Sequence, residues 1–227
     1  MTIRNQKTLT LSGWAQLAEA LAQLASEADR YDYSQHANAE EAIAALAQFR
    51  GHSSVIGWSL GGQLALRAIA AGALAPKRLV LIAAPARFVG EQGMGPETFA
   101  LFRESYVKDP KRTKERFRAL IVKDDSRNRE VMNALKDHPD VENTARWLPW
   151  LDALEQFDVA TLDLSDAPRT LIVHGMNDRI VPFAQGEMLA DLLPHAVLQG
   201  MAEAGHAPHL HDVERLRREI TAHGVVL

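Results

Sequence analysis

The chain has 227 residues, 47% of them hydrophobic and 24% charged, and no cysteine. That length suits one α/β domain that needs no covalent staple, and the missing thiols exclude a disulfide framework, a Cys-ligated zinc or iron–sulfur site and a Cys nucleophile. Twenty-five Lys and Arg against 29 Asp and Glu leave a formal net charge of -4, which argues against nucleic-acid binding, and no apolar run approaches the roughly 18 residues of a membrane span. Met1–Lys7 carries charge with no signal-type apolar segment behind it, so the cytoplasm is the expected compartment.

Short apolar runs alternate with longer helical patterns. Thr8–Leu11 reads as a strand, Gln16–Ala25 as an Ala/Leu helix, Asp29–Tyr33 as a weak strand and Ala39–Phe49 as a helix. Ser54–Trp58 is a strand candidate, Gln63–Ala71 a helix, and Arg78–Ala83 a continuous apolar run suited to a strand buried on both faces. From about Gly90 to Pro168 no strand signal appears. That stretch is charged, helical in character and punctuated by Pro96, Pro110, Pro139, Pro149 and Pro168. The alternation then resumes with a strand at Arg169–His174, a helix at Phe183–Leu193, a strand at Ala196–Gln199 and a helix at Val213–His223. Strand–helix alternation implies a mostly parallel sheet flanked by crossover helices. The expected organisation is an α/β core, residues 1–89 and 169–227, interrupted by a helical lid insertion, 90–168.

The sharpest motif is Gly57-Trp58-Ser59-Leu60-Gly61, a G-x-S-x-G between an apolar strand and a helix. A nucleophilic Ser on a tight strand-to-helix turn projects its Oγ from the sheet, and flanking glycines remove side chains that would collide there. The helix N-terminus then favours developing negative charge. A hydroxyl nucleophile needs a base, and the base an orienting acid. Asp178 follows the strand Thr170–Val173, and His206 lies just beyond the last strand, which gives the chain order Ser, Asp, His. Each alone has a blander meaning, Asp178 as a turn residue and His206 as one of nine His. Together they are expected at the carboxyl edge of one sheet, where α/β folds bind ligands. The expected oxyanion donors are the backbone N–H groups of Leu60 and Trp14, the second in the turn Ser12-Gly13-Trp14 after the first strand. His174 is read as structural, His209 and His211 as surface residues, and Asp32 and His36 have no matching partner.

At these residues the chain resembles the α/β-hydrolases. More narrowly it is similar to the BioH-type carboxylesterases, which cleave pimeloyl-[acyl-carrier protein] methyl ester in biotin synthesis. The resemblance rests on Ser12-Gly13-Trp14 (Ser replacing the family's His), Gly57-Trp58-Ser59-Leu60-Gly61-Gly62, Ala84-Pro85-Ala86-Arg87-Phe88, Arg116-Phe117-Arg118-Ala119-Leu120, Asp178 with Val181-Pro182, and Gly205-His206-Ala207-Pro208. It implies a serine esterase with Ser59, Asp178 and His206 as its triad and no metal or organic cofactor. The family's two N-terminal strands have no counterpart, which would leave a sheet edge open and makes either a monomer or an edge-paired dimer compatible with the chain.

Between Arg103 and Lys123 stand eight basic and three acidic residues. A solvated helix face is the ordinary meaning of such a run. The alternative is electrostatic docking of an acidic partner such as acyl-carrier protein, with Arg112, Arg116 and Arg118 as substrate-binding residues, Trp14 lining the pocket, and Phe117, Leu120 and Ile121 facing the core. Competing expectations are a general short-chain carboxylesterase or thioesterase, and a non-catalytic binding protein on the same fold.

Overall fold

The computed structural model describes residues 7–136 and 145–227. Pro139 and the chain before Lys7 lie outside these described residues. The first strand, β1 (Thr8–Leu11), is buried along its whole length. The chain returns through a 3-10 turn at Ala18–Leu21 to β2 (Asp29–Arg30), then enters α1 (Ala39–Leu46). The Asn38 side chain accepts the Glu41 N–H at 2.9 Å and so caps α1. Next come β3 (Ser54–Trp58), α2 (Leu60–Ala70) and β4 (Arg78–Ile82). Among the described residues, four helices without a strand between them follow: α3 (Pro96–Lys108), α4 (Pro110–Ile121), α5 (Asn128–Lys136) and α6 (Leu148–Gln156). The core closes with β5 (Arg169–Gly175), α7 (Phe183–Leu192), β6 (Ala196–Met201), α8 (Pro208–His211) and α9 (Val213–Ala222).

The six strands form one sheet in the order β2-β1-β3-β4-β5-β6, every pair parallel. Val55, Ile56, Leu79, Val80, Leu81, Ile82, Ile172 and Val173 are wholly buried. That is why β3 to β5 read as continuous apolar runs instead of alternating ones. α2 packs on β1, β3 and β4, and α7 on β5 and β6. All strands being parallel, their carboxyl ends meet at one edge, and the turns after β1, β3, β5 and β6 converge there.

Two expectations change. The helix expected over Gln16–Ala25 is only the 3-10 turn Ala18–Leu21. Leu21, Leu24 and Ala25 are all buried, Ala15 has φ 56°, and packing on several sides overrides the Ala/Leu propensity for one amphipathic helix. The weak strand shortens to two residues because the chain turns at Tyr33–Gln35, where Asp32 accepts the Ser34 N–H at 3.1 Å. No described helix is long and apolar enough to cross a membrane.

Candidate active site

Ser59 stands between β3 and α2 with φ 54° and ψ -118°. A left-handed non-glycine residue is costly and persists only where its surroundings enforce it. Here the enforcement is visible. The Ser59 N–H donates to Ile82 O at 2.8 Å, and its carbonyl accepts from Gly62 N at 2.9 Å. A Cβ on Gly61 would lie 2.2 Å from Leu11 O, and one on Gly57 2.6 Å from the Gly62 Cα. The turn is therefore as tight as G-x-S-x-G requires.

Ser59 Oγ lies 3.0 Å from His206 Nε2, and His206 Nδ1 lies 2.7 Å from Asp178 Oδ2. The other Asp178 oxygen accepts the N–H groups of Ile180 and Val181 at 2.8 and 2.9 Å. Burial alone would raise the Asp178 carboxyl, but the His206 charge and hydrogen bonds from His174 and His206 hold it well below the usual carboxylate range. Of these bonds, that from His174 is the weaker. Its Nε2–H donates to Val181 O at 2.8 Å and lies 3.5 Å from Asp178 Oδ2. An ionised carboxylate only accepts, so His206 carries its proton on Nδ1. Nε2 is left as acceptor for the Ser59 hydroxyl. The His206 main chain is held on both sides: its N–H donates to Ile121 O at 3.0 Å, and its carbonyl accepts the Trp58 indole N–H at 2.9 Å.

The turn after β1 lies against the serine, since a Cβ on Gly13 would meet the Ser59 Cβ at 3.5 Å. Leu60 opens α2, where a first-turn N–H has no partner within the helix. The buried Trp14 ring donates its Nε1–H to Trp147 O at 3.0 Å and meets Phe102, Tyr106 and Phe117 edge-on at 5.0–5.4 Å. Ser12 holds its own turn, donating to Gln16 O at 3.3 Å while its carbonyl accepts the Tyr33 hydroxyl at 2.6 Å. Among the described residues no group of three or more His, Asp and Glu is disposed to hold a metal ion. A cleft of about 460 Å³ at the amino ends of β4 and β5, lined by Arg50, Pro76, Asp163 and Pro168 among others, contains none of these residues.

A hydroxyl, an imidazole and a carboxylate thus stand in hydrogen-bonded series on the carboxyl edge of a parallel sheet. Residues 9–219 match the alpha/beta hydrolase family. The chain belongs to that family. As an α/β hydrolase it is 32% identical over 177 residues to the pimeloyl-[acyl-carrier protein] methyl ester esterase of Nitrosomonas europaea, covering 73% of this chain and 68% of that one. It is 34% identical over 173 residues to the esterase of the same name from Xanthomonas axonopodis pv. citri, covering 71% and 66%. It also matches the biotin biosynthesis bifunctional protein BioHC of Teredinibacter turnerae, 32% identical over 70% of this chain, but spans only 31% of that protein's length. In fold it is similar to an esterase from Exiguobacterium antarcticum, with a TM-score of 0.79, 19% identity and coverage of 96% and 91% of the two chains.

Several expected positions move. His209 is wholly buried, not on the surface: its ring lies 4.5 Å from Trp58. Neither of its nitrogens has a hydrogen-bond partner among the described residues. Burial, and then the nearby His206 charge, push it down to about 3. His211 is also buried and donates toward Asp125 Oδ1 at 2.8 Å. Both misplacements have one cause, since α8 packs against α5 and α9 and not against solvent. On α4, Arg112 and Arg116 are exposed and Arg118 half-buried, while Phe117 and Ile121 face inward as expected. Leu120 instead is exposed and Lys114 buried. At about 100° per residue, each lies about 60° from Phe117 but on opposite sides, and the core lies on the Lys114 side.

Proposed function

We propose that this α/β hydrolase is a serine carboxylesterase, with Ser59 as nucleophile, His206 as general base and Asp178 as the acid that orients it. The observation that carries this reading is the series Ser59 Oγ, His206, Asp178 at 3.0 and 2.7 Å, built on a serine held at φ 54°. His206 Nε2 takes the Ser59 proton as Oγ attacks the ester carbonyl, and Asp178 fixes the tautomer and balances the imidazolium. The Leu60 and Trp14 N–H groups receive the oxyanion, each contributing about 3 kcal/mol to the transition state. His206 then protonates the departing alcohol, and a water activated by the same imidazole releases the acid. We assign the aromatic wall of Trp14, Phe102, Tyr106 and Phe117 to the acyl side, with residues 90–168 as a lid over it.

The finer reading is that the ester is pimeloyl-[acyl-carrier protein] methyl ester. The relatives of that name support it, as do the exposed Arg112 and Arg116 on α4, which suit an acidic carrier. The decisive experiment is Ser59→Ala with fluorophosphonate labelling. Loss of ester turnover and of labelling in a folded protein is the expected result, and near-normal turnover ends the esterase reading. Rescue of a biotin auxotroph blocked at pimeloyl-ester cleavage tests the substrate, and failure there with esterase activity intact leaves a general carboxylesterase.

A further inference from the structure

The turn between α4 and α5 belongs to the helical segment, yet it reaches both loops that carry the proposed acid and base. Asp125 is buried at its centre. Its Oδ2 accepts the Gly205 N–H at 2.8 Å. Its Oδ1 accepts the Arg127 N–H and faces His211 Nδ1, each at 2.8 Å. On either side, Ile121 O accepts the His206 N–H at 3.0 Å, and the Ser126 N–H donates to Glu203 O at 2.9 Å. Asp124 turns the chain at φ 61°. Its carbonyl accepts the Asn177 side-chain amide at 2.9 Å and its carboxylate pairs with Arg179 at 2.6 Å, both on the Asp178 loop.

From this arrangement we infer that Asp125 is a positioning residue for His206. The inference rests on the esterase reading and deepens it. Asp125 touches no reacting atom. It fixes the Ala204–Gly205 peptide, next but one to the His206 Cα, from one side, while His211, from α8 on the far side of the same loop, holds its other oxygen. A buried carboxylate with three N–H donors is a stiff anchor, because releasing any donor leaves a buried group unpaired. The peptide so held determines where the imidazole sits between Ser59 and Asp178, and a misplacement near 1 Å costs turnover steeply. The anchor is supplied by the segment 90–168, so the base of the core is set from outside the core. A displaced segment would release His206 together with the pocket wall.

The test uses the full chain and p-nitrophenyl butyrate. Asp125→Ala should lower kcat by about tenfold or more with KM within about twofold, and should shift or broaden the low-field His206 Nδ1 proton resonance. Asp125→Asn keeps an acceptor for the Gly205 N–H and His211 can present its other tautomer, but its NH2 then faces the Arg127 N–H, so this variant should recover only part of the kcat and of the resonance, falling between the parent and Asp125→Ala. Asp152→Ala, which removes the 2.9 Å pair with Arg103 elsewhere in the segment, should leave both unchanged. If Asp125→Ala does not fold, His211→Leu must show the same kcat-selective loss, smaller in size. An unchanged kcat and an unmoved resonance in the folded Asp125 or His211 variant overturn the inference. Ser59→Ala run alongside keeps the two claims separate: activity surviving there defeats the esterase reading, and activity lost only there defeats the positioning role alone.

Discussion

His209 makes the fold acid-sensitive in a window that the carboxylates do not control. Its imidazole is wholly buried against Trp58, with no partner for either nitrogen among the described residues. Burial and the His206 charge push it down to about 3. In the unfolded chain the same ring titrates near the ordinary value of about 6.5. Between those values the unfolded state binds one proton that the folded state refuses, so stability falls as pH falls, by about 1.4 kcal/mol per pH unit. At pH 4.5, two units below the unfolded value, the loss reaches about 2.7 kcal/mol. Asp178 acts with the same sign but in a lower window: its carboxyl is held low in the fold, so its contribution is intact above about pH 4 and lost only as pH falls below that. His209→Phe keeps a ring on Trp58 and removes the titration. Urea unfolding followed by tryptophan fluorescence at pH 7.5, 6.5, 5.5 and 4.5 should show the two proteins diverging below pH 6.5, with the variant about 2 to 3 kcal/mol better at 4.5. The variant should lose nothing at pH 7.5, because it also deletes two unpaired buried polar atoms. Parallel curves from 7.5 to 4.5 would refute the reasoning.

Asp178→Asn should fold and lower kcat on p-nitrophenyl butyrate by about four orders of magnitude, since an amide can present a donor to Nδ1 and so favours the wrong tautomer; a loss under tenfold would remove Asp178 from the mechanism. Gly61→Ala drives a Cβ to 2.2 Å from Leu11 O, backbone that cannot rotate away. It should cost at least about 3 kcal/mol, roughly 6–12 °C in Tm by calorimetry, and a Tm within 2 °C of the parent by the same measurement is inconsistent with the turn described. Reversing Arg112 and Arg116 to Glu should slow a carrier-linked ester at least about tenfold at low ionic strength while leaving p-nitrophenyl butyrate unchanged, with the difference fading in salt. Equal losses on both substrates would remove the docking role.

The parallel core was legible because its strands are buried on both faces. Val55-Ile56 and Leu79-Val80-Leu81-Ile82 leave no alternation to misread, and their spacing to the next helical pattern implies crossovers. Ser59 was legible from its glycines, whose necessity shows in the 2.6 and 2.2 Å approaches at Gly57 and Gly61. Asp178 and His206 were legible only through chain order and strand ends, a topological argument that local pattern does not supply. Asp125 is illegible in the sequence for a physical reason. Lys123-Asp124-Asp125-Ser126 reads as a solvated turn, and nothing local marks the second Asp as buried. Its partners Gly205 and His211 lie 80 and 86 residues further on. The His209 burial was hidden likewise, since His-x-His after a proline looks amphipathic until α8 is seen wedged between α5 and α9.

These omissions share a location, and it bears on how the site is built. Trp58 reaches from the strand before Ser59 to His206 O, Ile121 reaches from the end of α4 to His206 N, and Asp125 reaches from the next turn to Gly205 N. The loop carrying His206 therefore owes its conformation to three separate stretches of chain, one in the sheet and two in the helical segment. A serine turn leaves a local mark because its required glycines fall within five residues, even though Gly61 is demanded by the distant Leu11 O. The His206 loop does not, since both ring nitrogens are committed to Ser59 and Asp178 and its backbone is left to be gripped by distant groups. The loops of the proposed acid and base are accordingly where long-range hydrogen bonds concentrate, and Asp124 and Asp125, adjacent in sequence, divide those two loops between them.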